Sequence, residues 1–266
     1  MLSVLIAKLV ATALVVIGVS VAVAKAGPRL GGILAGTPII LGPGYFFMLQ
    51  ERSVEFLQAA ALSTLHALIA TLVFAICFVV AAGRFGVYAS LTLATACWIP
   101  TALLFSLLPG GIWGGMLVYG LVLLLAEAIR RALKLGQTVV IARSGWFDLL
   151  FRGLLAGILV SIATTVAAKS GPLLSGMLVG FPVGLFTIGW TLYERYGPEV
   201  ARATVSMAQK GMLSLVAFAV ALALTVGTLP PMATFAISLL ASIMVSLGIF
   251  VISQWRYRAL QTGEGR

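Results

Sequence analysis

The sequence predicts an all-α polytopic membrane protein of about nine transmembrane helices, built as a 5+4 inverted repeat with broken second and seventh helices. Three observations predict it. The 266 residues are 61% apolar and 9% charged, with a mean hydropathy of +1.15, whereas soluble domains carry about 25% charged residues. A 15-residue motif occurs twice, AKAGPRLGGILAGTP at 24–38 and AKSGPLLSGMLVGFP at 168–182, offset by 144 residues and identical at nine positions. Lys and Arg gather between the apolar segments in a pattern that fixes how those segments alternate across a bilayer. A net charge of +10 would suggest nucleic acid in a soluble chain. Here it places basic residues at cytoplasmic membrane edges, and no nucleic-acid motif or partner is expected.

About 20 apolar residues cross a hydrocarbon core of ~30 Å as a helix, and nine segments meet that length. The first, 2–24, ends in Ala22-Val23-Ala24, which resembles a signal-peptide cleavage site. Lys8 interrupts its apolar run, however, and the segment has a counterpart 144 residues on, so a retained helix is expected. The second, 28–49, carries the first motif and is interrupted by Gly31, Gly32, Gly36, Pro38, Gly42, Pro43 and Gly44. The third, 56–82, follows Glu55, a helix-dipole partner, and contains His66. The fourth is 86–108. The fifth, 111–130, has no duplicate and ends in Glu127, Arg130 and Arg131, spaced for surface ion pairs. The polar stretch 131–146 joins the halves.

The sixth segment, 147–168, repeats the first, with Arg152 in place of Lys8. The seventh, 172–193, repeats the broken second, with Gly176, Gly180, Pro182, Gly184 and Gly189. The eighth, 200–227, carries Lys210 where the third has His66, and the ninth is 231–255. Domain boundaries follow: a first four-helix repeat at 1–110, a linking helix and cytoplasmic junction at 111–146, a second, inverted repeat at 147–256, and a cytoplasmic tail at 257–266. Cys77 and Cys97 lie in apolar runs and read as packing residues, without disulfide or metal spacing.

The junction carries Arg130, Arg131, Lys134 and Arg143, so it is expected in the cytoplasm. Lys25, Arg29, Arg84, Arg195, Arg202, Arg256, Arg258 and Arg266 then also fall inside, and only Arg52 and Lys169 fall outside. The N-terminus is outside and the C-terminus inside a bacterial inner membrane. Trp113, Trp146, Tyr193, Tyr196 and Trp255 stand at segment ends, as an interfacial belt requires. Five segments separate equivalent positions, and five is odd. The copies therefore traverse the bilayer in opposite directions, an arrangement common among secondary transporters.

Proline inside a helix frees a carbonyl, and in lipid such a carbonyl needs a protein or water partner. Pro38 lies ten residues past Pro28, and Pro182 ten past Pro172. At 1.5 Å per residue each break sits roughly 15 Å deep, near the midplane. Gly36, Thr37 and Pro38 are thus expected to face Gly180, Phe181 and Pro182 across a substrate site, with exposed N–H groups favouring an anion. Thr37 is placed to cap its half-helix; Phe181, its counterpart, is not. Close helix packing through Gly32-x-x-x-Gly36 and Gly176-x-x-x-Gly180 is the competing explanation of the glycines.

A charge at a helix centre costs about 2.5–3.5 kcal/mol on insertion scales. The equivalent pair His66 and Lys210 is expected to flank the site, His66 as a titrating group for proton coupling and Lys210 as an anion ligand. A hydrogen bond to a neighbouring helix, or snorkelling of the lysine, explains them equally. Lys25 and Lys169, before each Gly-Pro, are candidates to draw anions inward. Lys8 and Arg152, nearer the helix ends, fit snorkelling best. No catalytic or metal constellation is present in the sequence, so no enzyme activity and no cofactor are expected.

Gly153-Leu-Leu-Ala-Gly157, Lys169, the Gly180-Phe-Pro182 region, the Glu194-Arg195 pair and Trp255 together resemble the GlpM-like small bacterial membrane proteins, single four-helix units. The resemblance covers roughly 147–256 and, more weakly, 2–108. It implies two such units fused in tandem and inverted, and a link to glycerol metabolism and alginate production; it implies no catalytic residues. The leading expectation is a secondary transporter of an anionic small solute or phosphate-bearing lipid-linked intermediate. The alternative is a non-transporting partner or scaffold of an envelope or exopolysaccharide synthesis complex. Homo-oligomerisation is compatible with either.

Overall fold

The computed structural model describes residues 2–25, 38–135 and 146–263. Among these the chain is helical, without strands. The helices are α1 (Leu2–Lys25), α2 (Leu41–Glu51), α3 (Val54–Ala81), α4 (Val87–Ser106), α5 (Gly111–Ala132), α6 (Trp146–Val179), α7 (Val183–Tyr196), α8 (Pro198–Gly211), α9 (Leu213–Thr225) and α10 (Pro231–Gly263). Among the described residues, six stretches are long and apolar enough to cross a membrane: Val54–Ala81, Val87–Ser106, Gly111–Ala132, Gly171–Tyr196, Pro198–Thr225 and Pro231–Trp255. Two shorter apolar helices, Leu5–Val19 and Leu149–Thr165, fall within α1 and α6. Of the expected segment 28–49, only the part from Pro38 onward lies in the described residues.

Helix starts have local causes. Ser53 caps α3 by accepting from Phe56 N (3.4 Å), with Glu55 in the first turn, where a carboxylate favours the helix dipole. Gly171 interrupts α6 with φ +80 ahead of Pro172. Gly197 (φ +84) does the same ahead of Pro198, the first residue of α8. Each pair joins a left-handed residue that tolerates no Cβ to a proline suited to a helix start. The expected segment 200–227 corresponds to the membrane-length stretch Pro198–Thr225, in which a turn at Met212, with helical angles of φ −66 and ψ −16, divides α8 from α9.

The 144-residue offset recurs in the helix boundaries. It carries the starts of α1, α3 and α4 (2, 54 and 87) onto those of α6, α8 and α10 (146, 198 and 231), and the end of α3 (81) onto that of α9 (225). Buried faces repeat as well. Ser90, Ala94, Trp98 and Ala102 are buried on α4, and Thr234, Ser238, Ser242 and Ser246 occupy the same positions on α10. A stripe every fourth residue is one helix face, and mostly small side chains along it admit close packing.

The first helix of the chain, α1, lies antiparallel against α6, its counterpart at the 144-residue offset. A Cβ at Gly157 would stand 2.7 Å from the Leu9 carbonyl oxygen, and one at Gly153 would stand 3.2 Å from that of Ala13. Ser161 Oγ donates to the Leu5 carbonyl at 3.4 Å. Residue number thus falls along α6 as it rises along α1. Leu9 is equivalent to Gly153 and Ala13 to Gly157, so the first two contacts are one contact seen from each copy. Side-chain bonds also tie α3 to α8 and α9 at both ends. Arg202, near the start of α8, donates from Nε to the Val79 carbonyl at the end of α3 (2.8 Å). Its equivalent Gln58, near the start of α3, reaches the Val226 carbonyl after α9 (3.5 Å), three residues past the position equivalent to Val79.

The core centres on α3, whose apolar window is 78% buried, while α5 and α10 are each 17% buried and turn most of their surface outward. Leu65, Ile69, Leu72, Phe74 and Phe78 are fully buried in it. Trp113, Trp146, Tyr196 and Trp255 are exposed, and the Tyr193 hydroxyl donates to the Phe85 carbonyl at 3.1 Å. Cys77 on α3 and Cys97 on α4 are free thiols in mutual contact.

Candidate functional site

The second break is formed at Gly180–Pro182. Pro182 has no N–H to continue the helix; Phe181 N bonds the Leu178 carbonyl instead, and Val183 N that of Phe181. α7 then starts at Pro182 without a side-chain cap. The polar backbone of this stretch is met from α3. Ser63 Oγ donates to the Leu173 carbonyl (2.6 Å), Thr64 Oγ1 to that of Gly176 (2.9 Å), and Thr71 Oγ1 to that of Gly180 (3.2 Å). Thr71 also accepts from Trp98 Nε1 at 3.1 Å, and Phe181 packs edge-on against Trp98, ring centroids 5.1 Å apart. A buried carbonyl left without a partner costs about 1–3 kcal/mol, which accounts for Thr71 at Gly180, past the end of the helix; the Gly176 carbonyl also accepts from Gly180 N at 3.0 Å.

The glycines here admit backbone. A Cβ at Gly180 would lie 2.6 Å from that of Ala67, and one at Gly176 would collide with the Ala60 carbonyl and the Ser63 side chain. Gly176-x-x-x-Gly180 therefore seats the half-helix directly on α3. Of the first break, Gly36 and Thr37 lie outside the described residues. Pro38 is buried, and its carbonyl accepts from Gly42 N at 2.7 Å. The breaks share one small apolar cluster: Ile39, Ile40, Phe181 and Val183 pack with Val16 and Ala156. Ile39 and Val183 are equivalent positions.

The ionisable pair His66 and Lys210 meets α5. His66 is buried against Gly115 of α5, and its Nε2 has no hydrogen-bond partner. Lys210 Nζ pairs with Glu127 Oε2 of α5 (3.3 Å), and Glu127 also holds Arg130 (2.6 Å) and Arg131 (3.0 Å). The structure thus brings both members of this pair against the unduplicated helix α5, with His66 next in the chain to Ala67, which faces Gly180. Only the backbone of Lys25 and Lys169 is described, at the end of α1 and within α6. Lys8 is 7% exposed and pairs with Glu51 at 2.7 Å, and Arg52 Nη2 holds the Thr164 carbonyl at 3.1 Å.

The sequence reading missed Ser63, Thr64 and Thr71, although Thr64 and Thr71, seven residues apart, already mark one polar stripe on an apolar helix. It also missed Glu51 as the partner of Lys8 and Glu127 as that of Lys210, while the pairing of Glu127 with Arg130 and Arg131, expected from their spacing, is formed. An apolar groove of about 450 Å³ opens between α1, α2 and α10, with Pro38 and Ile39 on its wall. Among the described residues no group of His, Cys, Asp and Glu could hold a metal ion. No known protein family, curated protein or solved structure matches this chain.

Proposed function

We propose that the chain is a secondary transporter of a bacterial inner membrane, with the N-terminus outside and the C-terminus in the cytoplasm. It carries an anionic small solute or phosphate-bearing lipid-linked intermediate, coupled to protons and without catalysis of its own, and is a tandem inverted fusion of two GlpM-like units. The reciprocal antiparallel packing of α1 on α6, through Leu9 with Gly157 and Ala13 with Gly153, carries this reading. Two halves related in that way can rock about a shared centre, and the breaks at Pro38 and Pro182 converge there on one cluster. The Lys210–Glu127 pair ties α8 to α5. A transporter opening to the inside must part such a tie, which frees the ammonium for an anion. The apolar character of the junction between the breaks favours a second reading, a non-transporting partner of an envelope or exopolysaccharide synthase.

Proteoliposomes distinguish the two, with radiolabelled inorganic phosphate and fluorescently tailed phosphatidic acid as parallel probes. Transport predicts that the wild type moves one of them and that Lys210→Ala and Pro182→Ala each slow it by about an order of magnitude, roughly 1.4 kcal/mol in the barrier. Unchanged rates in both variants remove the site assignment. A wild type that moves neither probe but retains a bound synthase supports the second reading.

A further inference from the structure

The groove between α1, α2 and α10 is lined by carbon, chiefly Ala11, Val15, Val19, Gly42, Phe47 and Phe235. Its wall along α1 runs over residues 11, 15 and 19, which share one helix face and cover roughly 12 Å. Lys8 stands on that same face one turn before Ala11. Its Nζ lies 5.6 Å from the centroid of the Phe47 ring, which itself lines the groove. A largely buried ammonium, its side chain 8% exposed, therefore lies beside the trough, over Phe47, towards the end where α1 begins. One of its three N–H bonds goes to Glu51, whose side chain is 38% exposed; an ammonium with further donors can serve a second anion.

Residue choice opens the groove. The second copy has Leu155 where the first has Ala11, and Phe186 where it has Gly42. A Cβ at Gly42 would meet nothing within 4 Å. The second copy also replaces Lys8 and Glu51 by Arg152 and Arg195, so this ion pair belongs to the first copy alone.

We propose that the groove holds the apolar chain of a phosphate-bearing membrane lipid whose headgroup meets Lys8. This narrows the proposed cargo class to the lipid-linked one and rests on that reading for the side of the membrane only. A nearly all-carbon trough offers nothing to a small hydrophilic anion, whereas an amphiphile satisfies both the trough and the cation beside it. The interaction of one lysine with an anionic headgroup near the membrane surface gives about a fivefold preference over an uncharged lipid of equal chain.

The test uses the full chain in phosphatidylcholine nanodiscs carrying a trace of either diazirine-tailed phosphatidic acid or diazirine-tailed diacylglycerol. Photolabelling of the Phe46–Phe47 peptide is expected to favour phosphatidic acid about fivefold. Lys8→Gln is expected to lower that label to the diacylglycerol level, and Gly42→Phe to remove the label from both lipids. Val15→Trp, which narrows the groove from its exposed side, serves the same purpose should Gly42→Phe fail to fold. Equal labelling by the two lipids in the wild type, or labelling that survives a folded groove-filling variant, overturns the proposal. Transport of inorganic phosphate with no groove labelling would sink this inference and spare the transporter reading; labelling without transport of either probe would do the reverse.

Discussion

Gly180→Ile is expected to be among the most damaging single substitutions in the chain, lowering stability by about 3 kcal/mol, the upper part of the range for overpacked cores. The cause is geometric. Even a methyl at residue 180 would stand 2.6 Å from the Ala67 Cβ, so α3 and the half-helix must separate. Separation also pulls the Gly180 and Gly176 carbonyls from Thr71 and Thr64. Unfolding in mixed detergent micelles, followed by circular dichroism, measures the loss. Gly180→Ala is expected to lose less, and combining it with Ala67→Gly to recover at least half of that loss, because the two sites share one contact. Additive losses in the double variant would place the damage elsewhere.

Arg202→Ala is expected to cost about 2 kcal/mol, in the range for hydrogen bonds from charged groups. The Val79 carbonyl lies in the last turn of α3, where helix carbonyls lose their own partners; Gly83 N bonds Val80 instead, and the Arg202 guanidinium takes its place. Its ion pair with Glu199 adds little, since that carboxylate is 77% exposed. Gln58→Ala removes the bond from the equivalent position of the other copy, which goes to a carbonyl three residues further on and stands at the 3.5 Å limit, and is expected to cost under about 0.5 kcal/mol. The same unfolding measurement on both variants checks the contrast. Equal losses would mean that the two helix ends are held alike and that the guanidinium has no special part.

Much of the fold was legible because duplication prints itself twice. The offset of 144 residues, read from Gly, Pro and Lys in two motifs, also aligns the starts of α3 with α8 and of α4 with α10. The break at Pro182 was legible from proline chemistry alone. The parting of α8 from α9 at Met212 was not, since no proline marks it and the apolar run continues past it. Partners were the harder part. Lys8 meets Glu51 across 43 residues, and the other copy has two arginines at those positions, so the repeat could not reveal the pair. Lys210 meets Glu127 on α5, a helix without a counterpart, whose inward face no internal comparison could identify. The hydroxyls of Ser63, Thr64 and Thr71 serve carbonyls more than 100 residues away, and their equivalents Met207, Ala208 and Leu215 carry no such signal.

That the two copies cross the membrane in opposite directions is tested most directly by labelling equivalent residues from one side. Gln50 and Glu194 are 144 residues apart and both exposed. Each is replaced singly by cysteine in a chain whose native thiols are removed by Cys77→Ala and Cys97→Ala. In spheroplasts treated with a membrane-impermeant maleimide, Gln50→Cys is expected to react at once and Glu194→Cys only after the membrane is opened. Reaction of both from the same side would contradict the inverted arrangement, and with it the transporter reading that depends on it.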